Sequence, residues 1–300
     1  MLGAKYKDSF VEKHIDYTSI IDAIEEKENE FKKNILEWNG YNLSQYLKSF
    51  HSVSPSSLNK YMVGLKKFIS FVAEKEGVQI DRKFSINNEK FINCIDVSKL
   101  LETTISDFQY QKIKNQLIMP DHVNVRDKLL FELAWQGLTH DEIKFLKVEN
   151  IEVGDDNAII SLGNNIILIE HAEVVEDIKA VIAEQYYRLT SCKGIEKTMS
   201  YMDSEYLFKP IMVGKNIGKE ETFLSNPNTA LKNSLFRNGV ECEGINMRRL
   251  SLEDIRRSKI IYLIHHAKEM NLEEISVMFD VNDSNLNWLR EIAKVKYTAN

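Results

Sequence analysis

The chain has 300 residues, of which 43% are hydrophobic and 28% charged, with a formal net charge of −6. Two domains are the prior for that length, and the balance is that of a soluble globular chain able to bury a core. No apolar run approaches the roughly 20 residues of a membrane helix, and the first residues lack the apolar stretch of a secretory signal. A cytoplasmic protein with no membrane partner is therefore expected. Cys94, Cys192 and Cys242 are far apart and show no ligand spacing, so neither a disulfide framework, a metal site nor a cofactor is expected. With 12 Gly and 4 Pro the chain is too poor in both for disorder or many short strands, which leaves mainly helix.

In chain order, Ile20 to Glu37 and Leu43 to Phe50 read as helices. Glu25, Glu26, Glu28, Glu30 and Glu37 place negative charge there, but from Trp38 to Ala73 there is no Asp or Glu, while Lys48, Lys60, Lys66 and Lys67 lie inside that stretch. The clearest helix runs from Ser54 to Gly77. Leu58, Tyr61, Met62, Leu65, Phe68, Ile69 and Val72 recur at helical steps; Ser54 caps, Pro55 suits the first position and Gly77 stops. Lys60, Lys66 and Lys67 fall off the stripe, available to a polyanion or simply to water.

These elements define a helical domain over 1–92, a linker at 93–105 where helical periodicity weakens, and a second domain over 106–300. Ser106 caps a helix through Leu117, and Val125 to Gln136 is strongly apolar. Gly137-Leu138 breaks it, and Thr139 opens a short helix to about Leu146. Ile151–Val153, Ala158–Leu162 and Ile166–Ile169, separated by Gly154-Asp155-Asp156-Asn157 and Gly163-Asn164-Asn165, read as a small antiparallel sheet. Helices resume at about Val174. A second basic cluster, Arg248, Arg249, Arg256, Arg257 and Lys259, has only Glu253 and Asp254 between its members.

Four segments in this order resemble the tyrosine recombinases, or phage integrases. Ser54 to Gly77 is similar to a helix of that family's N-terminal core-binding domain, Arg126 to Ile151 to the start of its catalytic domain, the three β runs to its small sheet, and Glu253-Asp-Ile-Arg-Arg-Ser258 to its late His-x-x-Arg motif. The resemblance implies a two-domain, mainly α fold with a small antiparallel sheet. It also implies an enzyme that breaks a DNA phosphodiester with a tyrosine hydroxyl while arginines hold the phosphate oxygens.

This chain departs from the pattern slot by slot. Thr139 follows Gly137-Leu138 where the family has Arg. No Lys lies between Asn150 and Lys179 to serve the hairpin, and Glu253 stands in the His position. The later His or Trp slot falls near Asp280 or Val281. Arg256 remains. The window for the nucleophile holds Trp288, Leu289 and Arg290, with no Tyr between Tyr262 and Tyr297. Since losing one charge donor costs roughly 10²–10³ in rate, the expectation is that the chain is not an enzyme, with no catalytic residue.

The resemblance then implies a DNA clamp without cleavage: a sequence-specific repressor of phage or mobile-element genes, akin to integrase-like repressors of SPβ-type prophages, with double-stranded operator DNA as partner and a phage-encoded antagonist as a further candidate. Lys60, Lys66, Lys67, Thr139, His140, Arg248, Arg249, Arg256, Arg257 and Lys259 are the candidate phosphate contacts, although Arg256 has an alternative as a structural partner of Glu253 or Asp254. Leu272 to Arg290 reads either as a helix-turn-helix, with Asn282, Ser284, Asn285 and Asn287 towards bases, or as the domain's last helices. Trp288 to Tyr297 docks either on a second copy or in cis. Two other functions stay open: a recombinase using Tyr297, and a protein-interaction module without DNA.

Overall fold

The computed structural model describes residues 1–12, 14–79, 91–117, 124–163, 165–190, 196–211, 223–266 and 271–298. Cys192, Asn164 of the second β turn and the side chain of Ser284 lie outside the described residues. Two compact units, Met1–Leu100 and Leu101–Asn300, divide the chain inside the stretch expected as a linker. That stretch carries a 3-10 turn, Ile92–Cys94, and a short helix, Val97–Leu101.

The first unit is built from α1 (Leu2–Val11), α2 (Thr18–Phe31), α3 (Gly40–Lys48) and α4 (Pro55–Glu76). In α4 the Ser54 hydroxyl accepts the Ser57 amide at 3.2 Å, and Gly77 takes a left-handed φ of 63° where the helix stops, so each predicted punctuation mark does its work. Leu58, Met62, Leu65, Phe68, Ile69 and Val72 are buried. Gly64 lets α2 approach closely, since a Cβ there would meet Ile20 Cδ1 at 2.6 Å.

The expected helix Ile20–Glu37 is corrected. It ends at Phe31, Lys32 turns left-handed at φ 53°, and Ile35–Glu37 is a separate 3-10 turn. The cause is Glu28, which is fully buried rather than part of a solvated acidic face. Its carboxylate accepts the Gly3 amide and the Ile35 amide, both at 2.7 Å, tying the start of α1 to the turn after α2.

The short helix α5 (Val97–Leu101) lies across the boundary, all but its last residue in the first unit, and the second unit opens with α6 (Asp107–Leu117), which Ser106 caps by accepting the Gln109 amide at 3.2 Å. The helix α7 (Val125–Trp135) is buried on every side, and α8 (His140–Lys144) is a single short turn. Strands β1 (Ile151–Val153), β2 (Ala158–Leu162) and β3 (Asn165–Ile169) form the expected antiparallel meander, with Val153 opposite Ala158 and Ile160 opposite Ile167. The helix α9 (Ala172–Ala183) packs on α7.

A second hairpin follows where only helix was expected: β4 (Tyr186–Thr190) pairs antiparallel with β5 (Glu196–Ser200). It is anchored from α7. The Asn124 side chain donates to the Arg188 carbonyl at 2.9 Å and accepts its amide at 2.7 Å, as a neighbouring strand would. The Arg126 guanidinium lies 4.2 Å from the Tyr187 ring centre, and the Tyr187 hydroxyl donates to Asp127 at 2.7 Å.

The unit closes with α10 (Pro227–Arg237), α11 (Leu252–His266), α12 (Leu272–Phe279) and α13 (Asp283–Thr298). α11 packs on α7 and α13 packs on α11. Leu286, Trp288, Leu289, Ile292 and Ala293 are buried there, so most of the apolar side of the last helix packs within the chain itself, while Val295 stays exposed. No helix among the described residues is long and apolar enough to cross a membrane.

Candidate nucleic-acid interface

Lys60, Lys66 and Lys67 stand exposed on α4. Lys60 and Lys66 have no ion-pair partner among the described residues, whereas Lys67 donates to the Tyr17 hydroxyl at 3.1 Å and sits 5.0 Å over that ring. The acid-free stretch thus yields a solvated cationic face whose charge is not neutralised locally.

Thr139 and His140 are engaged at the start of α8. The Thr139 hydroxyl accepts the Glu142 amide at 3.2 Å while its own amide donates to the Glu142 carboxylate at 2.7 Å, a reciprocal capping box. His140 Nδ1 is 3.0 Å from Asp141. The Thr139 amide and one acceptor site of its hydroxyl are therefore used by the helix, while the hydroxyl proton and His140 Nε2 are not used by these bonds.

The late cluster is divided by the fold. Arg248 is exposed with no partner among the described residues and lines a cavity with Lys112 and Lys232. Arg249 pairs with Glu102 at 2.8 Å. The other three sit on α11 and turn into the unit. Arg256, 7% exposed, donates to the Gly137 carbonyl at 2.7 Å and to the Phe279 carbonyl, with Glu253 at 3.5 Å. Arg257 pairs with Asp254. Lys259 lies 5.4 Å over Trp135 and 5.2 Å over Tyr262, where burial holds its pKa below the usual lysine value. Sequence spacing brought these five together; side-chain direction separates them.

Lys112 and Lys232 were missed by sequence reasoning, although one signal was present: α10 contains no Asp or Glu. The segment read as a helix-turn-helix is α12, a left-handed Asp280 (φ 46°) and α13, with Ile275, Phe279, Val281, Leu286 and Leu289 buried. Asn282 and Asn287 are exposed, and Asn282 caps by accepting the Asn285 amide at 2.9 Å.

Tyr297, near the end of α13, stacks on His265 at 4.5 Å between ring centres and meets His266 edge-on at 4.8 Å. Its hydroxyl is buried with no hydrogen-bond partner among the described residues, and burial, then the neighbouring Tyr262, push its pKa up to about 12. His265 and Arg256 are nine residues apart on α11, about 14 Å along the axis, so Tyr297 and the guanidinium sit at different levels of that helix.

No family model matches the sequence, and no curated protein matches it. Solved structures share the fold. The XerH site-specific recombinase in a post-cleavage complex with palindromic difH substrate has a TM-score of 0.54 at 13% identity, covering 94% of this chain and 76% of that one. The pre-cleavage XerH complex with difH gives 0.51 at 14%, covering 94% and 77%. The Tn1549 transposon integrase with transposon right end DNA gives 0.52 at 12%, covering 100% and 98%. This chain therefore has a tyrosine-recombinase-like fold, mainly helical with a small antiparallel sheet. The expectation that it is not an enzyme is corrected by the same finding. The fold it shares is that of site-specific recombinases seen before and after cleavage, and at 12–14% identity unmatched motif slots do not establish that activity is lost.

Proposed function

We propose that this chain binds double-stranded DNA at specific sites and represses phage or mobile-element genes, as integrase-like repressors of SPβ-type prophages do. The observation that carries this is the exposed cationic face of α4, where Lys60 and Lys66 have no ion-pair partner among the described residues, within a stretch free of acids in a chain whose net charge is −6. The likeness of the fold to recombinases in complex with DNA supports it. Lys60, Lys66, Lys67 and Arg248 contact phosphates, with Arg249 reaching one by exchanging Glu102 for it. Arg256, Arg257 and Lys259 hold the second unit together from within, and Thr139 and His140 set the start of α8. Release by a phage-encoded antagonist belongs to the same function, and self-association through the C-terminal helix would use its exposed surface around Val295, since Leu289 and Ile292 are buried within the chain.

The test is a gel-shift series on fragments from the gene's own genomic neighbourhood. A sequence-selective shift that weakens steeply with salt is expected, and no shift at any salt would sink the proposal. A second function, strand cleavage by Tyr297, is favoured by its buried hydroxyl, which has no hydrogen-bond partner among the described residues and stands beside two histidines. It requires a protein–DNA band that survives SDS and disappears in Tyr297→Phe.

A further inference from the structure

The open cavity beside Arg248 has a volume of about 840 Å³, within the roughly 300–1,000 Å³ typical of small-molecule sites. Its floor is apolar: Leu235, Val240 and Ile245 are buried there. Around it stand Lys112 from α6, Lys232 from α10 and Arg248 from the segment before α11. None of the three side chains has an ion-pair or hydrogen-bond partner among the described residues. Glu241 and Glu243 also line the cavity, but what the structure fixes there is backbone: the Glu241 amide donates to Gln116 at 3.1 Å and the Glu243 carbonyl accepts from Gln109 at 3.1 Å. Their carboxylates pair with none of the three cations, which outnumber them. Phe236, 72% exposed, also lines the cavity, a large apolar surface with nothing over it among the described residues.

We propose that this cavity is a ligand site for an organic anion with an aromatic or other apolar body. The anionic group sits among Lys112, Lys232 and Arg248, and the body lies on Leu235, Val240 and Ile245 against the Phe236 ring. A bare phosphate, or a DNA backbone passing over the surface, would satisfy the cations but leave the Phe236 ring in water. An uncharged hydrophobe would cover Phe236 and leave three cations facing it. Only a molecule with both parts answers both features. Because Arg248 is also assigned to DNA above, an occupied cavity competes for that side chain and weakens DNA binding. This competition rests on the proposed function.

The full chain is titrated with anilinonaphthalene sulfonate, an aromatic sulfonate that fluoresces when its body leaves water. Saturable binding of one probe per folded chain is expected, weakened about tenfold or more in Lys112→Glu/Lys232→Glu. The milder Lys112→Gln/Lys232→Gln, checked for an unchanged melting temperature, separates loss of the site from loss of the fold. Absence of saturable binding, or equal affinity in the folded variants, overturns the site. Saturating probe is then added to the gel-shift series. Weaker DNA binding in the parent chain but not in the substituted one is expected, and an unaffected shift overturns the competition. If no DNA shift occurs even without probe, the DNA function and the competition both fail, while the site still stands or falls on the fluorescence titration.

Discussion

The two units bury charge in opposite ways. The first hides one carboxylate, Glu28, and gives it two backbone amides as partners at ordinary hydrogen-bond length. The second buries α7 whole, with Arg126, Asp127, Lys128 and Glu132 all inside. Asp127 is well served by Arg126 and Tyr187. Glu132 is not: it is fully buried, Lys114 and Lys128 approach only to 3.6 and 3.7 Å, and neither carboxylate oxygen accepts a hydrogen bond among the described residues. Burial, then the nearby Asp177 carboxyl, push its pKa up to about 8. A buried acid can thus be a fixed strut or a group waiting to titrate. Which it becomes depends on whether donors reach it, since desolvation acts on both.

The strongest test of that contrast is Glu28→Ala. It leaves two buried amides without acceptors and is expected to destabilise the first unit by about 3–5 kcal/mol. The loss is read by urea unfolding, and the core of the second unit should keep its hydrogen-exchange protection. A loss below about 1 kcal/mol would show that water replaces the carboxylate and that the strut is dispensable.

Glu132→Gln probes the other case through pH. With its folded pKa raised, Glu132 contributes stability that is complete below its ordinary value of 4.5 and is lost as pH rises to about 8. The parent chain should therefore melt progressively lower across that window, and the Gln variant should lack this component of the slope. At pH 8 and above the variant should be the more stable, by on the order of 2–4 kcal/mol. Parallel pH profiles for the two proteins would contradict the assignment.

Tyr187→Phe sharpens the comparison within α7. Removing the hydroxyl that donates to Asp127 at 2.7 Å should cost about 1–2 kcal/mol, measured by thermal unfolding, because Arg126 still holds the carboxylate. The smallest effect on stability is expected at Lys66→Ser on the exposed face, within about 0.5 kcal/mol. DNA affinity should fall in that variant, with the log–log salt slope lowered by about one.

How much of this was legible follows the range of each interaction. α4 was readable because its signals are local: Ser54, Pro55, Gly77 and a stripe within one helix. The three-stranded sheet was readable because β-branched runs alternate with turn residues; only the start of β3 differs, at Asn165 rather than Ile166. The β4–β5 hairpin was missed because Tyr186 to Thr190 follows a helix without a turn signal and is fixed by Asn124 and Arg126, far back in the chain. Glu28 looked like one more acid in an acidic run, since nothing local shows that its partners are the amides of Gly3 and Ile35.

The site followed the same rule. Exposed lysines of α4 could be placed from helical spacing alone. The destination of Arg256 could not, because its partners are backbone carbonyls 119 and 23 residues away. Lys112 and Lys232 came to notice only once α6 and α10 were seen to share a cavity with Arg248.

The Arg256 clasp also has a kinetic consequence. One guanidinium serves both the turn after α7 and the last turn of α12, and Phe279 packs so tightly on Gly137 that a Cβ there would meet its ring at 2.7 Å. Neither segment can open without withdrawing a partner from the other. The amides of Leu138 and Val281, bonded to Leu133 and Ser276, should therefore exchange with solvent as one event with one opening rate, although the chain separates them by most of the second unit.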